Sequence, residues 1–324
     1  MPAVSDWSIP PALQPKPRDY GYDLEQALAS VVGLRAVIPS DAFTADTLGT
    51  ERTGHGVIVR SNGLILTIGY LVTEAEEVWL TLTDGRVVPG HVLAYDYETG
   101  FGLVQTLTRL DLPAIGFDQS SSAQAGEPAV LAGAGGRERS VAAQIVSKQE
   151  FAGYWEYVLD EAIFTAPSHP HWGGTALIGP AGDLLGIGSL QLEGSRQGKA
   201  ENLNMVVPID LLKPIFDDLV TTGRAKRPSR PWLGVYCIEV ENRVVVAGLA
   251  RGGPAQRAGL QTGDLLVAVA GKEVRELAPC FRKIWLLGHA GVEVPLQIWR
   301  EGDTFEVRIN SGDRNRYLKT PRTH

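Results

Sequence analysis

The sequence predicts a mainly β protein that is divided into two domains. Asn62-Gly63 and Asp84-Gly85 each separate two apolar runs, which is a strong hairpin signal because both turn positions need a positive φ. Short strands follow one another at close spacing, which indicates antiparallel barrels or sandwiches rather than alternating strands and helices. The length of 324 residues suits two domains better than one.

Composition limits the classes of function. The 37 acidic and 30 basic residues give a net charge of -7, which argues against a nucleic-acid partner. Two cysteines, Cys237 and Cys280, are too few for a disulfide scaffold or a four-thiolate zinc site, and we expect no cofactor. The sequence contains no apolar run long enough to span a membrane. It also starts without the pattern of a secretory leader, so we expect a cytoplasmic protein.

The larger predicted domain comprises residues 23–223. Residues 1–22 precede it as a Pro-rich extended arm, either a loose tail or an arm packed on a neighbouring subunit. Residues 23–30 have the spacing of a short helix, and residues 209–219 have that of a closing helix. The predicted strands between them are residues 56–59, 64–67, 78–82, 87–88, 102–106, 129–132, 142–147, 157–165, 175–178, 184–190 and 203–207.

A smaller domain follows a basic linker at residues 224–230 and comprises residues 231–312. Its helices are predicted at residues 253–260 and 276–287, with Pro279 in the first turn of the second helix. Its strands are predicted at residues 233–240, 244–249, 264–270, 294–300 and 304–309. Residues 313–324 are expected to form a basic, disordered tail.

Several strings resemble those of the HtrA/Deg family of serine proteases. Residues 53–58 (TGHGVI) are similar to the family's G-S-G-V-I strand, and residues 206–209 (VVPI) are similar to its F-A-I-P segment. Residues 232–235 (WLGV) resemble the carboxylate-binding loop of a PDZ domain, and residues 253–264 resemble its turn and helix. The resemblance implies a trypsin-like double β-barrel followed by a PDZ domain, a β-sandwich with two helices.

The resemblance also locates the positions of the Ser-His-Asp triad. Tyr70 stands at the position of the family's His, Gly100 at that of its Asp, and Gly173 at that of its Ser. A phenol is a poor base at neutral pH, and glycine offers no side-chain chemistry. We therefore expect a degenerate triad and a protein that is not an enzyme.

Two alternatives remain open at this site. The first is a serine-type endopeptidase with residual or non-standard catalysis, for which Ser168 is the candidate nucleophile. The second is a metal-binding pseudoprotease: His169 and His171 alternate and would face one side of an extended segment, with His55 or Glu98 as a further ligand.

The PDZ-like domain retains the features that peptide binding needs. The resemblance implies that backbone N–H groups of the loop hold a terminal carboxylate, while the following strand pairs with the peptide. The expected peptide-binding residues are Trp232, Leu233, Gly234, Val235, Tyr236, Ile238, Phe281, Ile284 and Trp285.

The sequence therefore predicts an inactive HtrA-like homologue that acts as a scaffold or regulator. Its partners would be protein or peptide C-termini, bound through the PDZ domain. The resemblance also implies a homo-oligomer, a trimer formed through the protease-like domain. A PDZ domain used only for packing within that oligomer is the competing interpretation.

Overall fold

The structure is a computed structural model, which describes residues 7–109, 113–196 and 199–319. It divides into two compact units. The first contains residues 7–149 and Glu161–Lys226, and the second contains Glu150–Asp160 and Arg227–Lys319. Among the described residues, no helix combines the length and apolar character that crossing a membrane requires.

The first unit contains two closed, six-stranded antiparallel barrels, as the mainly β prediction requires. Their strands are β1 (Val31–Val37), β2 (Glu51–Arg60), β3 (Leu64–Ile68), β4 (Glu77–Thr81), β5 (Val87–Tyr95), β6 (Phe101–Thr106), β7 (Pro128–Ala132), β8 (Ser140–Gly153), β9 (Tyr157–Ala166), β10 (Ala176–Ile178), β11 (Leu184–Arg196) and β12 (Lys199–Pro208). The strand orders are β1-β2-β3-β6-β5-β4 and β10-β11-β12-β9-β8-β7. Both predicted hairpins are confirmed, because β2 pairs with β3 and β4 with β5. In each turn the glycine has a positive φ, +85° at Gly63 and +83° at Gly85, whereas Asn62 and Asp84 do not.

Two of the three helices described in the first unit differ from expectation. Helix α1 (Leu24–Ala29) is confirmed, and the Asp23 carboxylate caps it by accepting the Gln26 N–H. A short helix, α2 (Ala45–Leu48), was not predicted. The continuous helix predicted at residues 209–219 is wrong: 3₁₀ turns at Ile209–Leu211 and Lys213–Ile215 precede α3 (Phe216–Thr222). Pro214 explains the interruption, because it lacks a backbone N–H and favours a helix start.

The N-terminal arm packs on its own unit. Ile9 is 3% exposed and shares a buried core with Leu131 and Leu177 of the second barrel. The Arg139 guanidinium lies over the Trp7 ring at 4.7 Å from its centroid. This part of the arm is therefore not a loose tail; residues 1–6 lie outside the described residues.

The second unit is a sheet with two helices. Its strands are β13 (Val235–Val240), β14 (Arg243–Leu249), β15 (Leu265–Val269), β16 (Lys272–Glu273), β17 (Glu293–Arg300) and β18 (Asp303–Asn310). The order is β13-β14-β15-β17-β18, so β13 is an edge strand. Helices α4 (Pro254–Arg257) and α5 (Leu277–Trp285) confirm the two predicted helices. Of the expected C-terminal tail, Arg314–Arg316 form a 3₁₀ turn, and residues 320–324 lie outside the described residues.

The second unit includes one segment that the sequence analysis assigns to the larger domain. The tip of the β8–β9 hairpin, Glu150–Asp160, packs with the smaller unit. Val158 is 8% exposed and belongs to the same buried cluster as Leu233 and Phe281. This hairpin tip therefore adds a side chain to the core of the PDZ-like unit.

Candidate functional sites

The turn after β3 brings the three expected triad positions together. The Gly69 N–H donates to the Gly100 carbonyl oxygen at 2.6 Å, which joins the turn of Tyr70 to that of Gly100. A Cβ atom added to Gly173 would lie 2.7 Å from the Tyr70 hydroxyl oxygen. Tyr70, Gly100 and Gly173 therefore lie close together in the first unit.

The Tyr70 hydroxyl is held as a hydrogen-bond donor. It donates to the Ser189 carbonyl oxygen at 2.8 Å. Desolvation raises the pKa of this phenol well above its ordinary value of 10.0, so the hydroxyl stays protonated at neutral pH. Arg52 stabilises the same turn, because its Nη1 donates to the Tyr70 carbonyl oxygen at 2.7 Å.

Three histidines cluster beside this turn. The His55 and His169 ring centroids are 5.7 Å apart, and those of His169 and His171 are 6.4 Å apart. Desolvation is the first cause that lowers the pKa of His55 to about 3 and that of His169 to about 4. Both imidazoles are therefore neutral at pH 7.

The hydrogen bonds of His55 and His169 fix their tautomers. His55 Nδ1 accepts the Ala134 N–H, so its Nε2–H donates to the His171 carbonyl oxygen. His169 Nδ1 accepts the His171 N–H, so its Nε2–H donates to the Arg139 carbonyl oxygen. A metal ligand needs a free nitrogen lone pair, and in both rings the acceptor nitrogen is already used. Within residues 7–109, 113–196 and 199–319, no group of three His, Cys, Asp or Glu side chains is placed to hold a metal. The geometry thus argues against the metal site expected at His169 and His171.

The second unit has a carboxylate site in the loop before β13. The backbone N–H groups of Gly234 and Val235 donate to Oε1 of Glu156 at 2.7 and 3.0 Å. The Leu233 N–H donates to Oε2 at 3.0 Å. Three consecutive amides therefore converge on one carboxylate, as expected of this loop.

The other expected peptide-binding residues are divided between groove and core. The Tyr236 ring lies 6.0 Å from that of Tyr154, while Ile238 is 43% exposed. Phe281 and Ile284 are fully buried core residues rather than open walls. Trp232 is buried and packs its ring against that of Tyr317, and Trp285 lies under the Arg230 guanidinium.

Sequence reasoning missed the contribution of the β8–β9 hairpin. Glu156 is only 2% exposed, although an unpaired buried carboxylate is costly. One signal was present in the sequence: Glu156 is a single acidic residue within the aromatic run from Phe151 to Tyr157. A charge inside such a run needs a polar partner, here the amides of the loop.

Comparisons with known proteins agree with this division of the chain. A family model described as "Trypsin-like peptidase domain" matches residues 54–187, and one described as "PDZ domain" matches residues 231–310. A "Probable periplasmic serine endoprotease DegP-like" of Hahella chejuensis is 28% identical over 277 residues, which covers 81% of this chain and 57% of that protein. A relative of the same name from Chlamydia trachomatis is 26% identical and covers 79% of this chain and 53% of its own length.

Solved structures support the same fold. The structure described as "HtrA-type protease AlgW with decapeptide" has a TM-score of 0.55 and 21% identity, covering 92% of this chain and 98% of that chain. The molecule is thus a trypsin-like peptidase domain followed by a PDZ domain. In this order of domains the chain is similar to the DegP-like relatives. It spans about half the length of the curated relatives that it matches.

These comparisons contradict two predictions. The expectation that the chain is not an enzyme conflicts with relatives named serine endoproteases and neighbours named HtrA-type proteases. That expectation rested on Tyr70, Gly100 and Gly173, whereas a catalytic site is defined by geometry and roles rather than by sequence position. The expected cytoplasmic location conflicts with relatives named periplasmic. The expected location rested on the start of the sequence and on the presence of only two thiols. Cys237 and Cys280 are both buried, and buried thiols are compatible with a reducing or an oxidising compartment.

Proposed function

We propose that this HtrA-like chain uses its PDZ unit to bind extended protein segments that end in a free carboxylate. The observation that carries the proposal is the convergence of the Leu233, Gly234 and Val235 amides on one carboxylate, at 2.7–3.0 Å. Charge-assisted bonds of this kind are roughly twice as strong as neutral ones. The edge strand β13 supports the proposal because its outer backbone groups can pair with an added strand.

The test uses the full chain and two forms of one fluorescent peptide. One form ends in a free carboxylate, and the other ends in an amide of the same sequence. We expect the free form to bind at least about tenfold tighter, which corresponds to one lost charge-assisted interaction of about 1.4 kcal/mol. Equal binding of the two forms would contradict carboxylate recognition by this loop.

We also propose that Tyr70, Gly100 and Gly173 stand where the family carries its triad. Support comes from the Gly69–Gly100 backbone bond and from the 2.7 Å approach of a Gly173 side chain to the Tyr70 hydroxyl. A periplasmic location and a homotrimer remain proposals that rest on the relatives' names and on the family resemblance. Fractionation of cells and light scattering of the purified chain test these two proposals.

Because the relatives are named serine endoproteases, we propose serine endopeptidase activity as a second candidate function of this chain. Ser168 is the candidate nucleophile, and its hydroxyl lies 3.5 Å from the Gln191 side-chain nitrogen. A fluorophosphonate probe and unfolded casein measure this activity in the wild type and in Ser168→Ala. Loss of both labelling and cleavage in Ser168→Ala would assign the nucleophile, and unchanged rates would exclude Ser168.

A further inference from the structure

The groove of the PDZ unit is already occupied by a segment of the same chain. The Glu156 side chain supplies the carboxylate that the Leu233–Val235 amides hold, and it is only 2% exposed. Its backbone has φ = +60°, a left-handed conformation that costs a residue with a Cβ atom about 1–3 kcal/mol. Such strain persists where surrounding contacts over-determine the position, and here those contacts are the bonds to the loop.

The edge strand beside the loop is engaged by the same segment. The Cys237 N–H of β13 donates to the Tyr154 carbonyl oxygen at 2.7 Å. Tyr154 therefore lies opposite Cys237, and Glu156 lies opposite the loop at the start of the strand. The segment runs antiparallel to β13 with its carboxylate at the loop, which is the direction of a peptide added to this edge.

The helix on the other side of the groove holds both ends of the hairpin tip. Arg282 of α5 donates through Nη1 to the Glu150 carboxylate and through Nη2 to the Asp160 carboxylate. Between them, Val158 enters the buried cluster that contains Phe281. Loop, edge strand and helix thus each contact the hairpin tip.

We propose that the hairpin tip Glu150–Asp160 is an internal ligand of the PDZ groove, in which the Glu156 side-chain carboxylate takes the place of a peptide's terminal carboxylate. An external peptide then binds only when it displaces the hairpin tip. This inference rests on the proposed peptide binding and adds a competitor to it. A tethered ligand acts at an effective concentration of about millimolar, so the apparent affinity for peptide is reduced by the fraction of molecules with an open groove.

The test compares Glu156→Ala with the wild type in the full chain. We expect the variant to bind the carboxylate-terminated peptide at least about tenfold tighter, because the groove is no longer filled. Hydrogen exchange at the Cys237 amide should accelerate in the variant without peptide. Glu241→Ala is the matched control: Glu241 also has a positive φ, of +48°, but is exposed in the β13–β14 turn.

A second variant distinguishes release of the hairpin tip from a folding defect caused by the substitution of Glu156. Arg282→Gln releases both ends of the hairpin tip without touching the loop, and we expect it to tighten peptide binding in the same direction. Equal peptide affinity and equal Cys237 exchange in wild type and both variants would overturn the internal-ligand proposal and leave peptide binding standing. Faster Cys237 exchange in both variants without peptide binding by any protein would support the internal ligand and overturn the proposed function instead.

Discussion

The proximity of residues 70 and 173 can be tested by adding one methyl group. In Gly173→Ala, the new Cβ atom would lie 2.7 Å from the Tyr70 hydroxyl oxygen, while the next atoms, Tyr70 Cζ and Leu71 Cδ2, are at ordinary distances of 3.6 and 3.7 Å. The hydroxyl is held by its bond to the Ser189 carbonyl oxygen. The clash therefore falls on a single oxygen atom that cannot move without losing a hydrogen bond.

The expected cost follows from opposing terms. Overpacking a filled site costs about 1–3 kcal/mol, and loss of the Tyr70 hydrogen bond would add about 1 kcal/mol. The replacement of Gly by Ala also stabilises the protein by about 0.4–1 kcal/mol, because alanine lowers the conformational entropy of the unfolded chain. We therefore expect Gly173→Ala to lower the free energy of unfolding by about 1–3.5 kcal/mol in the wild type and by much less in the Tyr70→Phe background.

Urea denaturation of the four proteins in this cycle measures the coupling energy. We expect a coupling of at least about 1 kcal/mol, since the hydroxyl that the new Cβ atom meets is absent in Tyr70→Phe. Gly21→Ala provides the control, because a Cβ atom at Gly21 meets nothing within 4 Å and should show no coupling. Additive effects of the two substitutions would refute the idea that residues 70 and 173 share one site.

Three further predictions concern buried groups. Burial raises the pKa of Glu156 from 4.5 to about 7, so the folded state holds the proton more tightly and stability falls as pH rises from about 4.5 through 7, by about 3 kcal/mol in total. The other titratable or charged groups that act on this carboxyl are Arg314, Cys237 and Cys280. Urea unfolding at pH 5 and pH 8 should show this loss in the wild type but not in Glu156→Gln, and equal pH dependence in both would contradict it. A Gly174→Ala variant should lose more than about 4 kcal/mol of stability or fail to fold, because its Cβ atom would lie 1.9 Å from the His55 carbonyl oxygen. The Gly85→Ala control has nearly the same φ in open space and should lose only about 1–2 kcal/mol; similar melting temperatures would disprove the clash. Burial raises the pKa of the Cys280 thiol to about 12, so native protein should react with a thiol reagent at pH 8 only after denaturation, and rapid labelling of native protein would show otherwise.

Local chemistry made much of the fold predictable. Gly63 and Gly85 each end a three-residue hairpin loop, and each has the positive φ that the last position of such a loop requires. Strand β1 was not predicted, because Gly33 lies in its middle and weakens the strand signal. The helix predicted at residues 209–219 failed for the opposite reason: its apolar spacing was helical, but Pro214 removed the backbone donor.

The candidate sites were less predictable than the fold, because they depend on contacts between distant residues. The loop of Leu233–Val235 was recognisable from a short string, but its partner Glu156 lies 77 residues before Leu233. No periodicity links two such segments. The same holds for Gly173, whose approach to Tyr70 spans the two barrels of the first unit.

A competitor that regulates a groove must bind it tightly enough to fill it and weakly enough to leave. Three kinds of contact favour the seated hairpin tip: the bonds of Glu156 to the loop, the Cys237–Tyr154 backbone bond, and the Arg282 ion pairs. Two terms oppose it, namely the left-handed backbone of Glu156 and the desolvation that raises its pKa. A peptide's terminal carboxylate can reach the same amides from an extended backbone without that strain, while burial at the loop disfavours its charged form as it does that of Glu156. An external peptide therefore avoids the backbone strain at the loop, and the hairpin tip offsets this through its tether, the Cys237–Tyr154 bond and the Arg282 ion pairs. This balance makes the groove selective for peptides that also pair with β13, because a carboxylate alone replaces only one of the three contacts that it must displace.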